Sequence, residues 1–390
     1  MRIAFYAPFK PLGHAHPSGD RAIARGLYAF LTGRGHRVWP VSDLRARWIY
    51  WQPWRWPGVL RERRRALRLM QRLRPDLWLT YHTYYKAPDL LGPRACRSGV
   101  PYVVFQGIYS TKRKKRWRTW PGYLLNRRAL CAAAHVFTNR REDWHNLRRI
   151  VPAGRLTHLV PGINPGDFRF DPAARNELRR QWQVGDGPVI LSAAMFRPGV
   201  KADGLVWVIR ACERLWRRGY PIRLVIAGDG QAGERLRSLA DACLPGRVRF
   251  LGKVARGAMH RFYSAGDIFV FPGIRESLGM VYLEAQSCGL PVVAFDNGGV
   301  PEVVRDRESG ILVPTFAFDA FTDAIERLVA APDLRRQMGR RASCYVRQRH
   351  DLALNYDRLE TVLQSLVQAS AEAQGGRTAF RRPVNGEQKA

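Results

Sequence analysis

No apolar run in this 390-residue chain approaches the roughly 18–20 residues needed to span a bilayer. The first run, in MRIAFYAPFKPLG, is broken by Pro8 and Lys10. It is too short for a signal-peptide core and reads as a first buried strand. Cysteine is scarce: six residues, at 96, 131, 212, 243, 288 and 344, with no CxxC pair. That argues against a disulfide scaffold and a clustered zinc site, and reduced thiols in a cytoplasmic protein are the simplest account. No G-x-G-x-x-G follows the first strand, so the dinucleotide fingerprint is missing there. No DxD occurs anywhere. Acidic side chains are also short, with 32 Asp and Glu against 65 Lys and Arg, a net charge of +33. Such a field attracts polyanions: nucleic acid, anionic lipid headgroups or phosphorylated glycans.

What is present is an α/β alternation long enough for two domains. Residues 2–7 read as a strand, a loop containing Gly13 and Gly19 follows, and then a helix over about 21–34. Gly19 could let backbone approach a ligand closely. LWLTYH (77–82) is a further strand, ending on His82, and VVF leads to Gln106. The second half repeats the pattern: a strand at 189–194, a loop carrying Arg197 and Lys201, a helix over 204–217, and strands at 223–227 and 268–271. The prolines and glycines of 161–168 make a stiff connection. The domains are therefore expected at 1–165 and 166–350, with a helix at 351–370 and a disordered tail at 371–390.

Two segments of the first half concentrate aromatic and basic residues: RWIYWQPWRWPG (47–58), followed by a basic helix at 61–74, and TKRKKRWRTW (111–120). Trp and Tyr favour the membrane–water interface, and Lys and Arg favour anionic headgroups. An anionic membrane surface is the expected partner, with the protein peripherally attached to the inner face of the membrane.

The stretch FPGIRESLGMVYLEAQSCGLPVVAFDNGGVPEVV (271–304) is read as strand, loop, helix, tight turn and strand. Glycine at 289 suits a residue just past the helix end, and Pro291 blocks continuation. A helix starting near Gly279 directs its free N–H groups back toward Glu276, and such an end binds phosphate. Glu284 lies one to two turns along that helix. Acceptor-only side chains on either side of a phosphate site suit a ligand with hydroxyls at both ends, and a nucleotide sugar is such a ligand.

The pattern Pro-x-x-x-Glu-Ser-x-Gly-x-x-x-x-Glu-Ala-x-x-x-Gly-x-Pro resembles the donor-site signature of retaining glycosyltransferases of the GT-B fold, family four (glycosyl transferases group 1). The resemblance implies two Rossmann-like domains facing a cleft, with a C-terminal helix crossing back to the first. It implies that Glu276 contacts the transferred sugar and Glu284 the ribose. Ser277, Leu278, Gly279, Met280 and Val281 would hold the distal phosphate through their backbone, and Arg197 and Lys201 would neutralise the diphosphate. Here the loop is one residue shorter than in relatives and its Gly is displaced to 204. Lys253 and Val254 would lie beside the base. His82 would face the cleft as a catalytic residue, with Thr138 and Asn139 nearby and Gly19 close to the donor. Gln106 stands where many relatives carry His, so no acid–base role carries over there. No metal and no cofactor are expected, the nucleotide sugar being a substrate and the acceptor a glycan or lipid-linked hydroxyl. The alternatives are a phosphorylase or sugar-nucleotide epimerase on the same fold, or a basic nucleic-acid-binding protein. The last would leave the donor signature unexplained.

Overall fold

Short runs of Val, Ile, Leu and Phe, apolar on both faces, form parallel strands that must be covered on both sides. LWLTYHT is buried at all seven positions and VILSA at all five. In a computed structural model, the residues described are 1–13, 19–95, 97, 99–185 and 187–379. The chain divides into two units, Met1–Leu159 with Tyr356–Ala390, and Val160–Asn355.

In the first unit, strands β1 (Arg2–Tyr6), β2 (Arg37–Ser42), β3 (Leu77–Thr83), β4 (Tyr102–Gly107), β5 (His135–Thr138) and β6 (Leu156–His158) alternate with helices. The helices are α1 (Gly19–Gly33), α2 (Trp56–Leu73), α3 (Gly92–Ala95), α4 (Trp120–Ala132) and α5 (Arg141–Leu147). The sheet order is β2-β1-β3-β4-β5-β6, all parallel.

The second unit holds α6 (Pro172–Trp182), β7 (Val189–Ala193), α7 (Val200–Arg217), β8 (Arg223–Ala227), α8 (Gly233–Cys243), β9 (Val248–Phe250), α9 (Met259–Ser264) and β10 (Ile268–Val270). It continues through α10 (Met280–Ser287), β11 (Val292–Phe295), α11 (Val300–Val303), β12 (Gly310–Val313), α12 (Phe318–Ala330) and α13 (Pro332–Arg349). Its parallel sheet runs β12-β11-β10-β7-β8-β9. Counted from β7, that is the doubly wound order of the Rossmann fold.

The last helix, α14 (Leu352–Ala379), belongs to the first unit from Tyr356 onward. There Tyr356 meets Phe30 edge-on at 5.2 Å, and Glu360 lies 2.8 Å from His36 Nε2 and 3.1 Å from Arg34 Nε. The expected disordered tail begins too early: residues 371–379 continue this helix, in keeping with the alanines of SAEAQ. Residues 380–390 lie outside the described residues. The second unit starts earlier than the expected 166, because Ile163 bridges Asp351 and its N–H donates to His350 O at 2.9 Å. Among the described residues, no helix is long and apolar enough to cross a membrane.

Candidate functional site

In an open parallel sheet, ligands bind beyond the carboxyl ends of the strands where the strand order reverses. In the second unit that point lies between β7 and β10, which pair directly. The chain leaving β7 carries Arg197 and Lys201, and the chain leaving β10 carries Glu276. Lys201 Nζ and Glu276 Oε2 form an ion pair there, and the other carboxylate oxygen accepts from Ser277 N at 3.1 Å. Gly204 packs closely beneath the pair, since a Cβ there would sit 3.0 Å from the Phe271 ring. Lys201 also lies over that ring, 5.2 Å from its centroid. The sequence placed Lys201 in the loop ahead of a helix starting at 204. The helix instead begins at Val200, so Lys201 stands in its first turn. Arg197 is exposed at the end of β7, and its side chain makes no ion pair among the described residues.

The 273–279 loop is held by backbone contacts. Gly299 N donates to Glu276 O at 3.0 Å, and a Cβ on Gly299 would meet Ser277 O at 2.0 Å. Gly279 caps α10 at φ 65, a left-handed conformation that favours glycine. The amides of Met280 and Val281 open the first turn of α10, where they have no intrahelical partner. The far end closes as a Schellman motif: Gly289 N donates to Gln286 O at 2.9 Å and Leu290 N to Ala285 O at 3.1 Å.

Glu284 is not a solvated helix residue. It is 5% exposed, accepts from Tyr263 OH at 3.0 Å, and lies 3.5 Å from Arg256 Nη1. Burial pushes its carboxyl above the usual range, against the opposing pull of Arg256 and Tyr263. Lys253 is exposed and Val254 half-buried, just beyond β9.

Gly228-x-Gly230-x-x-Gly233 is a pattern the sequence reading passed over. It follows β8 and opens α8, the position of a dinucleotide fingerprint. Its first two glycines admit protein backbone: a Cβ at Gly228 would meet Ala194 O at 1.9 Å, and one at Gly230 would meet Phe196 O at 2.8 Å. Phe196 N donates to Asp229 O and Ala232 N to Phe196 O, each at 2.9 Å. The motif therefore ties the loop after β8 to the Arg197 loop.

In the first unit the order reverses between β1 and β3. His82 is the penultimate residue of β3, at φ 59, is 6% exposed, and packs against Phe9 and Tyr84 at 5.3 and 5.0 Å. Gln106 holds the matching place on β4 at φ 63. Its Oε1 and the Thr138 hydroxyl are buried with no hydrogen-bond partner among the described residues. Paired left-handed residues at two adjacent strand ends mark stored strain of the kind found at functional sites. Gly19 does not lie in a loop but opens α1; residues 14–18 of that loop lie outside the described residues. Glu276 and His82 belong to different units.

Residues 174–343, which include the Lys201–Glu276 pair and α10, match the family described as glycosyl transferases group 1. A GDP-mannose-dependent alpha-(1-6)-phosphatidylinositol monomannoside mannosyltransferase of Mycobacterium tuberculosis is 36% identical over 196 residues, 48% of this chain and 50% of that protein. The protein of the same description from Mycolicibacterium smegmatis is 33% identical over 260 residues, 64% of this chain and 66% of that protein. The chain thus matches about half to two thirds of the length of these curated relatives. HepE of Anabaena, solved in complex with UDP, superposes with a TM-score of 0.72 at 19% identity, over 94% of this chain and 100% of that one. That likeness establishes the fold. Residues 174–343, with the doubly wound sheet and its switch-point site, are thus similar to the glycosyl transferases group 1 family, and the chain has a GT-B architecture.

Proposed function

We propose that the protein is a retaining glycosyltransferase that moves a sugar from a nucleotide sugar to a hydroxyl of a lipid-linked or cell-envelope glycan, such as a lipopolysaccharide core or glycolipid. The observation that carries this reading is the Lys201–Glu276 pair at the switch point, beside the free amides of α10. Without donor, the two charges satisfy each other. An arriving diphosphate takes Lys201, Arg197 and the amides, and the sugar hydroxyls take Glu276. Charge grows on the diphosphate as the glycosidic bond breaks, so these groups act most strongly in the transition state. The acceptor attacks from the face the diphosphate leaves, and the departing phosphate oxygen takes the acceptor proton. Two cations and a helix end supply the positive charge, so no divalent metal is required. Glu284 holds the ribose, Lys253 and Val254 flank the base, and His82 and Gly19 serve from the first unit. The mycobacterial relatives, described as acting on a phosphatidylinositol mannoside, support a glycolipid acceptor.

The exposed tryptophans support attachment to the inner face of the membrane. Trp54 and Trp117 are 72% and 74% exposed, and the two aromatic segments form one patch. Trp51 lies edge-on to Trp117 at 5.6 Å, and its Nε1 donates to Arg118 O at 2.8 Å.

The test is mass spectrometry after incubation with a panel of nucleotide sugars, with glycolipid acceptor and without, in EDTA and in Mg²⁺. Acceptor-dependent nucleotide release that survives EDTA, with the anomeric configuration kept, is the expected result. An absolute metal requirement removes the phosphate-site account. Phosphate-dependent release or epimerised sugar would reassign the enzyme to one of the two other reactions.

A further inference from the structure

A second cluster of cations lies at the opposite end of the strands of the same sheet. A cavity of about 480 Å³ opens where β10 and β11 begin, beside Asp267 and Gly289. It is therefore separated from the Lys201–Glu276 pair by the length of the strands, on the order of 10–15 Å. Five arginines line it, at 175, 335, 336, 340 and 347, against the single carboxylate of Asp267.

That carboxylate is already spoken for. Arg175 Nη2 and Arg179 Nη1 donate to its two oxygens at 2.6 and 2.9 Å, and Val189 N adds a third bond at 2.8 Å. Arg335 is fixed by the carbonyls ending α12, at 2.7 Å from Leu328 O and 3.2 Å from Val329 O. Burial pushes its guanidinium below the ordinary value; Asp267 opposes this, and Arg336, Arg175 and Arg179 add to it. The wall thus holds more positive charge than its own carboxylate offsets.

Helix α13 supplies the open side. Positions 336, 340, 343 and 347 are spaced by four, three and four residues, which puts them on one helical face. Gly339 lets that face close in, since a Cβ there would meet Gly289 O at 2.1 Å. Ser343 Oγ donates to Ser287 O at 3.1 Å. Arg336 pairs with Asp333, whereas among the described residues Arg340 and Arg347 have no carboxylate partner. Ser287 belongs to the cavity wall; the residue is 1% exposed, and its buried Oγ has no hydrogen-bond partner among the described residues.

We propose that this cavity is a second anion site, distinct from the switch-point site, in which Arg340 and Arg347 bind the phosphate group of a small phosphate ester, diphosphate or lipid headgroup. Guanidinium groups match phosphate oxygens in bidentate geometry, and the volume suits a ligand of a few phosphate or sugar-sized groups.

The experiment titrates inorganic pyrophosphate calorimetrically into the full chain carrying Lys201→Ala, which weakens the switch-point site. Adding Arg340→Gln with Arg347→Gln is expected to weaken the remaining binding at least tenfold. A charge-matched control on exposed residues away from the cavity, Arg235→Gln with Arg327→Gln, is expected to change it less than twofold. Both variants are checked for folding by circular dichroism. Equal loss in the two variants would show that the net charge alone binds the anion and would overturn the site, as would unchanged binding in folded R340Q/R347Q. Co-sedimentation with phosphatidylglycerol vesicles, in a background carrying Lys114→Gln, Lys115→Gln, Arg116→Gln and Trp117→Ala to silence the patch of the first unit, separates the sources. Vesicle binding lost together with pyrophosphate binding identifies a lipid headgroup, and vesicle binding retained identifies a soluble phosphate compound.

Discussion

Glu276 holds two bonds that a substrate must replace, one to Lys201 and one to the Ser277 amide. Glu276→Ala is expected to lower kcat by about 10²–10³-fold, the range for losing one group that stabilises transition-state charge. The melting temperature should move little, because the residue sits in a loop. Wild-type turnover in the variant would remove it from the site. His135 makes a different kind of statement. Burial pushes its imidazole down from 6.5 to about 4, and Nε2 lies 2.9 Å from Thr157 Oγ1. The folded state holds it neutral. The stability tied to that neutrality is present above the unfolded value of 6.5 and is lost as pH falls toward about 4. Thermal melts should fall across that window and fall less steeply in His135→Gln. His350 is also pushed down by burial, so a residual slope remains. Identical profiles for variant and wild type would refute the assignment.

At the scale of elements, α10 is positioned through Glu284 as much as by its caps. Glu284→Ala leaves the Tyr263 hydroxyl buried without its acceptor, a cost of about 1–3 kcal/mol. It should therefore lower the melting temperature as well as raise KM for the nucleotide sugar. Glu284→Gln keeps an acceptor for Tyr263 and should recover most of the stability. If Ala and Gln lowered stability alike, the Tyr263 bond would not be what holds α10. The sequence carried the strands well, because runs such as VILSA and VVAF admit little else. It carried the α10 turn equally well, since Glu276, Gly279, Gly289 and Pro291 each have a local physical meaning. It missed what depends on neighbours distant in the chain. Nothing near Glu284 announced Tyr263. The start of α7 at Val200 follows Gly199, whose φ of 90 ends the preceding loop, and the packing of Gly204 on Phe271 lies far along the chain. Gly228, Gly230 and Gly233 show the opposite hazard, since a pattern suited to close ligand approach serves close backbone approach.

At the scale of the whole molecule, the charge of +33 has a local address in the first unit. Lys112, Lys114, Lys115, Arg116 and Arg118 are exposed beside Trp117, while Arg113 is drawn aside over the Tyr85 ring at 4.5 Å. Trp48, counted with this group in the sequence, packs against Tyr50 and Tyr85 instead. Each basic residue near an anionic surface contributes about 1 kcal/mol, fading within a Debye length of ~8–10 Å. Co-sedimentation should favour anionic over neutral liposomes by at least tenfold at low salt. High salt should weaken it to the remainder that the tryptophans supply. Equal, negligible sedimentation with both would remove the membrane assignment.

The helix shared by sequence position and by fold has a consequence for synthesis. Tyr356 and Glu360 complete the environment of Phe30, Arg34 and His36, yet about two hundred residues separate them from Leu159. On a ribosome adding roughly 5–20 residues per second, the first unit waits tens of seconds for its final helix. The second unit, contiguous in the chain, ends within the first turn of that helix and is complete before the rest of it emerges. The domain begun first is the one finished last, with its slot for α14 open in the interval, and that is when a nascent-chain chaperone has something to cover.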